Sequence, residues 1–248
     1  MTYSNIIVEK EGGIAKIILN RPHVLNALTE ELLSELVTAL EDMEKDDSVN
    51  VVIITGKGQA FSAGRDMKGI LEGREHVGGL RYQALEDLSK PVIAAVNGYC
   101  FTGALELAMC ADIIIASENA VFGDTHARFG VIPGGGQTQR LPRLIGPKKA
   151  KELMFLCDTI SAREAERIGI VNKVVAPEKL DESAREMAET ILKNIPETVR
   201  TLKSLINQGM KTDLETGLKM EAALHRGPIS PTGEGRNRIA ALLKKKSK

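Results

Sequence analysis

The sequence predicts an α/β protein in which short buried strands alternate with helices and further helices complete the chain. Three continuous apolar runs, at 51–54, 91–96 and 113–116, have the length and composition of strands covered on both faces. The first two lead into glycine-punctuated segments at 61–66 and 97–107, each opening towards a helix. The C-terminal part of the sequence is almost entirely helix-forming.

The N-terminal region predicts a β-hairpin followed by an amphipathic helix. Apolar runs at 6–8 and 14–19 flank a glycine turn at 10–13. Thr29 precedes a helical pattern of apolar residues, and its side chain is expected to cap that helix. Residues 67–90 combine four glycines with many charges, which indicates a mobile lid or helix over a pocket.

The second half of the chain predicts one more strand and then helices only. Ser161-Ala162-Arg163-Glu164 has the pattern of a capping box, and a last strand is expected at 170–175. Proline and glycine divide the remainder into four predicted helices, at 177–194, 196–208, 212–225 and 233–246.

Composition excludes several classes of protein. The 33 basic and 33 acidic residues of the 248-residue chain balance, which argues against a nucleic-acid binder. The three cysteines (Cys100, Cys110, Cys157) lack metal-binding spacing and lie in apolar surroundings, so free buried thiols are expected and no metal. The apolar stretches are too short to span a bilayer and no signal peptide is visible, so we expect a cytoplasmic protein.

The two glycine-punctuated segments predict a site built from backbone N–H groups. The first N–H groups of a helix have no internal partner and point outward. Two such groups facing each other can hold one negatively charged oxygen between them. Ala63, Gly64, Gly103 and Ala104 supply the small residues that such close approach requires.

Glu106 is the strongest candidate for acid–base chemistry. The predicted helix from Gly103 to about Cys110 is otherwise nearly all apolar. A carboxylate in so apolar a helix is costly unless it is paired or functional, and this favours a catalytic role over an ordinary surface position.

Four motifs, at 19–28, 60–66, 91–107 and 130–141, closely resemble the enoyl-CoA hydratase/isomerase (crotonase) superfamily, nearly end to end. The resemblance implies a crotonase (ClpP-like) fold of repeated ββα units, with a CoA-thioester core at 1–195 and a helical region at 196–248 that builds trimers or dimers of trimers. It also implies an acyl-CoA thioester substrate, of which coenzyme A is part, and no separate cofactor.

Site residues follow from the same resemblance. The thioester oxygen is expected between the N–H groups of Ala63 and Gly103, and the turn from Ala63 to Asp66 is expected to hold the rest of CoA. The complete set of expected substrate contacts is Ala63, Gly64, Arg65, Asp66, Gly103, Thr102, Val24 and Ala27.

The sequence departs from the family pattern at two positions, 126 and 102. Hydratases of the family use two glutamates, of which one matches Glu106, whereas the position of the other holds His126. If 121–129 were extended, Asp124 and His126 would face the same side, and Asp124 would orient the imidazole. Thr102 replaces a glycine and places a hydroxyl near the oxyanion site.

The leading functional hypothesis is a lyase, an enoyl-CoA hydratase in which Glu106 activates water and His126 handles the proton at C2. One alternative keeps the fold but makes the enzyme an enoyl-CoA isomerase, or a C–C or thioester hydrolase that uses Asp124 and His126. Another is a catalytically weak homologue that binds CoA esters.

Overall fold

The computed structural model of the chain describes residues 3–73, 78–225 and 233–246. Two units are present, Met1–Thr190 and Ile191–Lys248. The assignment of a catalytic core and an oligomerisation region to 1–195 and 196–248 stays a prediction.

The larger sheet of the first unit has six strands. The predicted hairpin is confirmed as β1 (Ile6–Glu11) and β2 (Ile14–Leu19), which pair antiparallel across Gly12 and Gly13, both with positive φ. Four parallel strands follow beside β2: β3 (Val51–Gly56), β5 (Val92–Val96), β7 (Ile113–Ser117) and β10 (Lys173–Val175).

A second sheet has four strands of three residues each. These are β4 (Ala60–Ser62), β6 (Tyr99–Phe101), β8 (Val121–Gly123) and β9 (Thr159–Ser161). The pairs β3–β4, β5–β6 and β7–β8 each contribute one strand to each sheet, so the two-strand repeat implied by the resemblance is present. Each glycine-punctuated segment therefore contains a short strand near its start. The sequence did not predict these strands, because three residues are too few to show an alternating pattern.

Helices cover the strands of the first unit. The predicted cap is confirmed at α1 (Glu30–Lys45), where the Thr29 hydroxyl accepts a hydrogen bond from the Leu32 N–H at 3.2 Å. The predicted lid holds α2 (Met67–Leu71) and α3 (Gly78–Asp87), while residues 74–77 lie outside the described residues. The further helices are α4 (Gly103–Ala108), α5 (Gln137–Ile145), α6 (Pro147–Leu156), α7 (Ala162–Arg167) and α8 (Leu180–Leu192).

The core lies between the larger sheet and these helices. Strand β5 is buried at all five positions, as its continuous apolar sequence predicts. The buried face of α1 repeats at helical spacing and consists of Leu32, Leu33, Leu36, Ala39, Leu40 and Met43. The carboxyl ends of β5 and β7 lead directly into β6 and β8, and these short strands lead into the candidate site.

The second unit is helical, as predicted. It contains α9 (Pro196–Gly209), α10 (Leu214–His225) and α11 (Gly233–Lys246). Leu202 and Ile206 of α9 and Met210 at its C-terminal cap follow one another at four-residue spacing, and each is more than half exposed within the chain. In the part of the chain that the structure describes, no helix is both long and apolar enough to cross a membrane.

Candidate active site

The amino end of α4 supplies the first element of the site. Gly103 is the first helical residue, so its N–H lacks an acceptor within the helix. The preceding residue, Thr102, is tied on both sides: its N–H donates to Gly123 O at 2.9 Å and its carbonyl accepts from the Glu106 N–H at 3.0 Å. These main-chain hydrogen bonds to β8 and α4 therefore fix the position of the peptide group that carries the Gly103 N–H.

The prediction that Ala63 supplies the second oxyanion donor requires correction. The Ala63 N–H donates to Leu25 O at 2.9 Å and is already used. Gly64 then takes φ 94°, which turns the chain, and the Arg65 N–H is left without a partner among the described residues. A Cβ built on Gly103 would lie 3.7 Å from Arg65 N, so the free amide beside Gly103 belongs to Arg65.

A cavity of about 330 Å³ lies against Arg65 and against Thr102, the residue before Gly103. Its lining joins both glycine-punctuated segments to the loop after β8 and includes Ala63, Arg65, Phe101, Thr102, Thr125 and His126. Its wall combines apolar surface with a few polar side chains, which is typical of a site for a small organic ligand. Four of the predicted site residues, Ala63, Arg65, Thr102 and His126, therefore line one cavity.

Asp124 and His126 pair, although not by the predicted route. Strand β8 ends at Gly123 and 127–129 form a short 3₁₀ helix, so the segment is a turn and not the extended strand we expected. Asp124 Oδ1 accepts from the His126 backbone N–H at 2.9 Å and lies 2.7 Å from His126 Nδ1. Because a carboxylate only accepts hydrogen bonds, this contact places the proton on Nδ1 and leaves Nε2 available for chemistry.

Glu106 is buried beside His126, which lines the cavity. Its Oε1 accepts from the backbone N–H groups of Gly135 at 2.7 Å and Gln137 at 3.0 Å, while Oε2 lies 3.9 Å from His126 Nε2. Burial raises the pKa of Glu106, and the two backbone hydrogen bonds and His126 oppose that rise. One carboxylate oxygen is thus fixed by the main chain, and the other faces the imidazole.

Two supporting features were not predicted from the sequence. The glycines 134–136 bring the backbone against Glu106, and a Cβ on Gly135 would lie 2.7 Å from Glu106 Cδ. Tyr82 of α3 packs on the same glycine and is 1% exposed, and its hydroxyl has no partner among the described residues. Burial raises the pKa of Tyr82. The glycine run before α5 was a signal for the close approach of the backbone to Glu106, whereas no sequence signal pointed to Tyr82.

The remaining predicted contacts lie near the cavity without lining it. Asp66 Oδ1 accepts from the Lys68 N–H at 3.0 Å and so caps the amino end of α2. Val24 and Ala27 lie in the turn before α1, whose Leu25 carbonyl binds the Ala63 N–H. Contact of Gly64, Asp66, Val24 and Ala27 with CoA stays a prediction.

The three cysteines of the chain are buried. Cys100, Cys110 and Cys157 are free and buried, as predicted, and burial raises the pKa of Cys100. No group of three or more His, Cys, Asp or Glu side chains among the described residues has the arrangement of a metal site.

Comparison with known proteins gives the same family from sequence. The sequence model of the family described as enoyl-CoA hydratase/isomerase matches residues 9–244. A short-chain-enoyl-CoA hydratase of Clostridium acetobutylicum is 42% identical, with 99% of this chain and 97% of that protein covered. A crotonyl-CoA hydratase of Syntrophomonas wolfei has the same identity and the same coverage of both chains.

Solved structures agree with the sequence comparison. The enoyl-CoA hydratase of Bacillus anthracis superposes with a TM-score of 0.92 at 39% identity, covering 98% of this chain and 97% of that one. The predicted crotonase fold is confirmed by this similarity over nearly the whole chain.

Proposed function

Because the chain belongs to the enoyl-CoA hydratase/isomerase family, we propose that it is a lyase that adds water across the 2,3 double bond of an acyl-CoA thioester. The observation that carries this proposal is Glu106, a buried carboxylate that faces His126 Nε2 at 3.9 Å beside two unpaired backbone amides. The activity named for both relatives is the one that this arrangement suits best.

The two amides stabilise the charge that forms during addition. When a nucleophile adds to C3, the electron pair of the double bond moves towards the thioester and its oxygen becomes negative. The N–H groups of Arg65 and Gly103 are the proposed donors to that oxygen, and a Cβ on Gly103 would lie 3.7 Å from the Arg65 nitrogen. A donor aimed at a developing oxyanion is worth about 3–4 kcal/mol of transition-state stabilisation.

Glu106 serves as the general base for water. Its ionised Oε2 takes a proton from the water molecule while the oxygen of that water bonds to C3. The main-chain hydrogen bonds on Oε1 keep the second oxygen directed towards the imidazole. A base held in this way contributes about 10²–10⁴ in rate.

His126 delivers the proton at C2. Protonated Glu106 passes the proton it took from water to the free Nε2 across the 3.9 Å separation, and Nε2 then delivers that proton to the enolate carbon. Both groups return to their starting states, and the product is a 3-hydroxyacyl thioester. Asp124 holds the ring in the required tautomer through Nδ1.

The proposed substrate is a short, unsaturated acyl-CoA, in line with the short-chain and crotonyl names of the two relatives. Coenzyme A is part of this substrate, and no separate cofactor is proposed. We further propose a cytoplasmic homotrimer or dimer of trimers. The exposed apolar stripe on α9 supports such an assembly.

The function is tested with Glu106→Gln, which keeps the shape of the side chain and removes its basicity. Loss of the enoyl-thioester absorbance of crotonyl-CoA should slow by about 10²–10⁴-fold, with an unchanged circular dichroism spectrum. The matched control is Glu41→Gln on the exposed side of α1, which should keep the wild-type rate. Full activity in Glu106→Gln would exclude the assigned role.

The Asp124–His126 pair favours a second candidate. A dyad 2.7 Å across, beside the same amides, also suits double-bond isomerisation or hydrolysis of a C–C or thioester bond. Incubation with 2-enoyl-, 3-enoyl- and β-ketoacyl-CoA separates these activities by their products. Absence of turnover on all three would indicate the weak CoA-ester binder.

A further inference from the structure

Thr102 has an unusual backbone conformation at the centre of the site. Its φ is 49° and its ψ is −114°, whereas Leu25 and Cys157, which also have positive φ, lie in the ordinary left-handed helical region. Among the described residues, Thr102 is the only β-branched residue with positive φ. Such a conformation costs free energy for a β-branched side chain, and strain of this kind is concentrated at functional sites.

No local contact of the side chain explains the strain. Thr102 is the N-cap of α4, yet its hydroxyl makes no capping hydrogen bond. Elsewhere in the described chain, no hydrogen bond to this hydroxyl is found either, although Thr29 and Ser161 both cap their helices in the usual way. The hydroxyl of Thr102 is therefore available to a ligand, and Thr102 lines the cavity.

The hydroxyl and the Gly103 amide both lie close to Gly64. A Cβ built on Gly64 would lie 2.1 Å from Thr102 Oγ1 and 3.5 Å from Gly103 N. Gly64 directly precedes Arg65, the residue with the other unpaired amide. The oxygen of Thr102 and the nitrogen of Gly103 therefore approach the same point on the turn that presents Arg65.

We propose that the Thr102 hydroxyl is a third donor to the thioester oxygen, in addition to the N–H groups of Arg65 and Gly103. This inference rests on the proposed function of the site. A hydroxyl proton rotates freely about its C–O bond, so Oγ1 can donate to an oxygen placed between the two amides. Its hydrogen bond strengthens as the oxygen gains charge, and Thr102 is then a catalytic residue that acts mainly in the transition state.

Three substitutions separate the hydroxyl from the backbone strain. Thr102→Val keeps the branched shape and removes the hydroxyl, so kcat for hydration should fall on the order of 10²-fold with little change in KM. Thr102→Ser keeps the hydroxyl and should lose far less. Thr102→Gly relieves the strain and also removes the hydroxyl, so it should fold well and be as slow as the valine variant. Thr138→Val, on the exposed side of α5, is the control for the substitution itself.

A second readout does not depend on hydration. A β-ketoacyl-CoA bound at the site forms an enolate that absorbs in the near ultraviolet, and oxyanion donors increase the enolate fraction. At one fixed pH, this fraction should be smaller in Thr102→Val and Thr102→Gly than in wild type and Thr102→Ser.

Each outcome decides one question. Equal kcat and equal enolate fractions in the valine and serine variants would overturn the proposal, as would a glycine variant faster than wild type. A wild-type protein that enolises the ligand but hydrates no enoyl-CoA would exclude the proposed function and leave the role of Thr102 measurable.

Discussion

Ionisation of Glu106 is required for the proposed catalysis but lowers the stability of the folded protein. Burial raises the pKa of this carboxyl in the folded protein, so ionisation costs the native state more than the unfolded chain. The cost is absent below the ordinary carboxyl pKa of about 4.3 and is complete once pH exceeds the native pKa. Glu106→Gln should therefore raise the free energy of unfolding at pH 8 and lose this advantage at pH 4. Urea denaturation at both pH values measures the effect, and an equal shift at both would contradict it.

The raised pKa of Glu106 also affects the pH dependence of the hydration rate. Only ionised Glu106 accepts a proton from water, so kcat/KM should fall as pH decreases through the native pKa of this group. Because that pKa is raised, the acid limb should lie above the range of ordinary carboxyl groups. A profile of crotonyl-CoA hydration against pH provides the measurement, and an acid limb near pH 4 would show that a normal carboxyl controls the rate.

Tyr82 leaves a polar group unsatisfied in the interior. Its hydroxyl is buried and lacks a partner in the described residues, and such a group costs about 1–3 kcal/mol. Tyr82→Phe should stabilise the fold by about that amount, whereas Tyr99→Phe, at a position 40% exposed, should change stability little. Thermal unfolding of both variants tests this, and a destabilised Tyr82→Phe would indicate an unseen partner for the hydroxyl.

Among the connecting elements, the glycine segment before α5 sets the position of Glu106. A Cβ on Gly135 would lie 2.4 Å from the Tyr82 ring and 2.7 Å from Glu106 Cδ, so Gly135→Ala should displace both groups. Overpacking of this kind costs about 1–3 kcal/mol, and kcat should also fall. Gly134→Ala is a matched control, since its Cβ would meet nothing within 4 Å. Indistinguishable stability and rate in the two variants would disprove the close fit.

The elements also show how far the sequence predicts this protein. Apolar runs predicted β3, β5 and β7, and a capping residue before an apolar repeat predicted α1. Burial and capping select particular residue types at short spacing, so the sequence shows them. From the sequence, the oxyanion donor was assigned to Ala63, whereas the structure leaves the Arg65 N–H free among the described residues. The difference depends on φ at Gly64, which the sequence pattern does not reveal. Similarly, the Asp124–His126 contact was expected from strand alternation but arises from a tight turn.

For the whole molecule, the helical unit carries the prediction about assembly. Leu202 and Ile206 of α9 and Met210 at its C-terminal cap form one exposed apolar stripe, and such a stripe is typical of an interaction surface. If copies of the chain associate through this stripe, Ile206→Glu should reduce the mass in solution to that of one chain. Gln208→Glu adds the same charge to α9 at an exposed polar position and should keep the assembly. Light scattering reports the mass, and an unchanged assembly in Ile206→Glu would place the interface elsewhere.

A Cβ on Gly64 would lie 2.1 Å from Thr102 Oγ1, so the glycine at 64 makes room for the threonine at 102. Loss of the threonine does not by itself admit a side chain at residue 64, because a Cβ there would still lie 2.8 Å from the Phe101 carbonyl oxygen and φ at Gly64 is 94°. In related sequences, threonine at the later position should occur only where the earlier one is glycine.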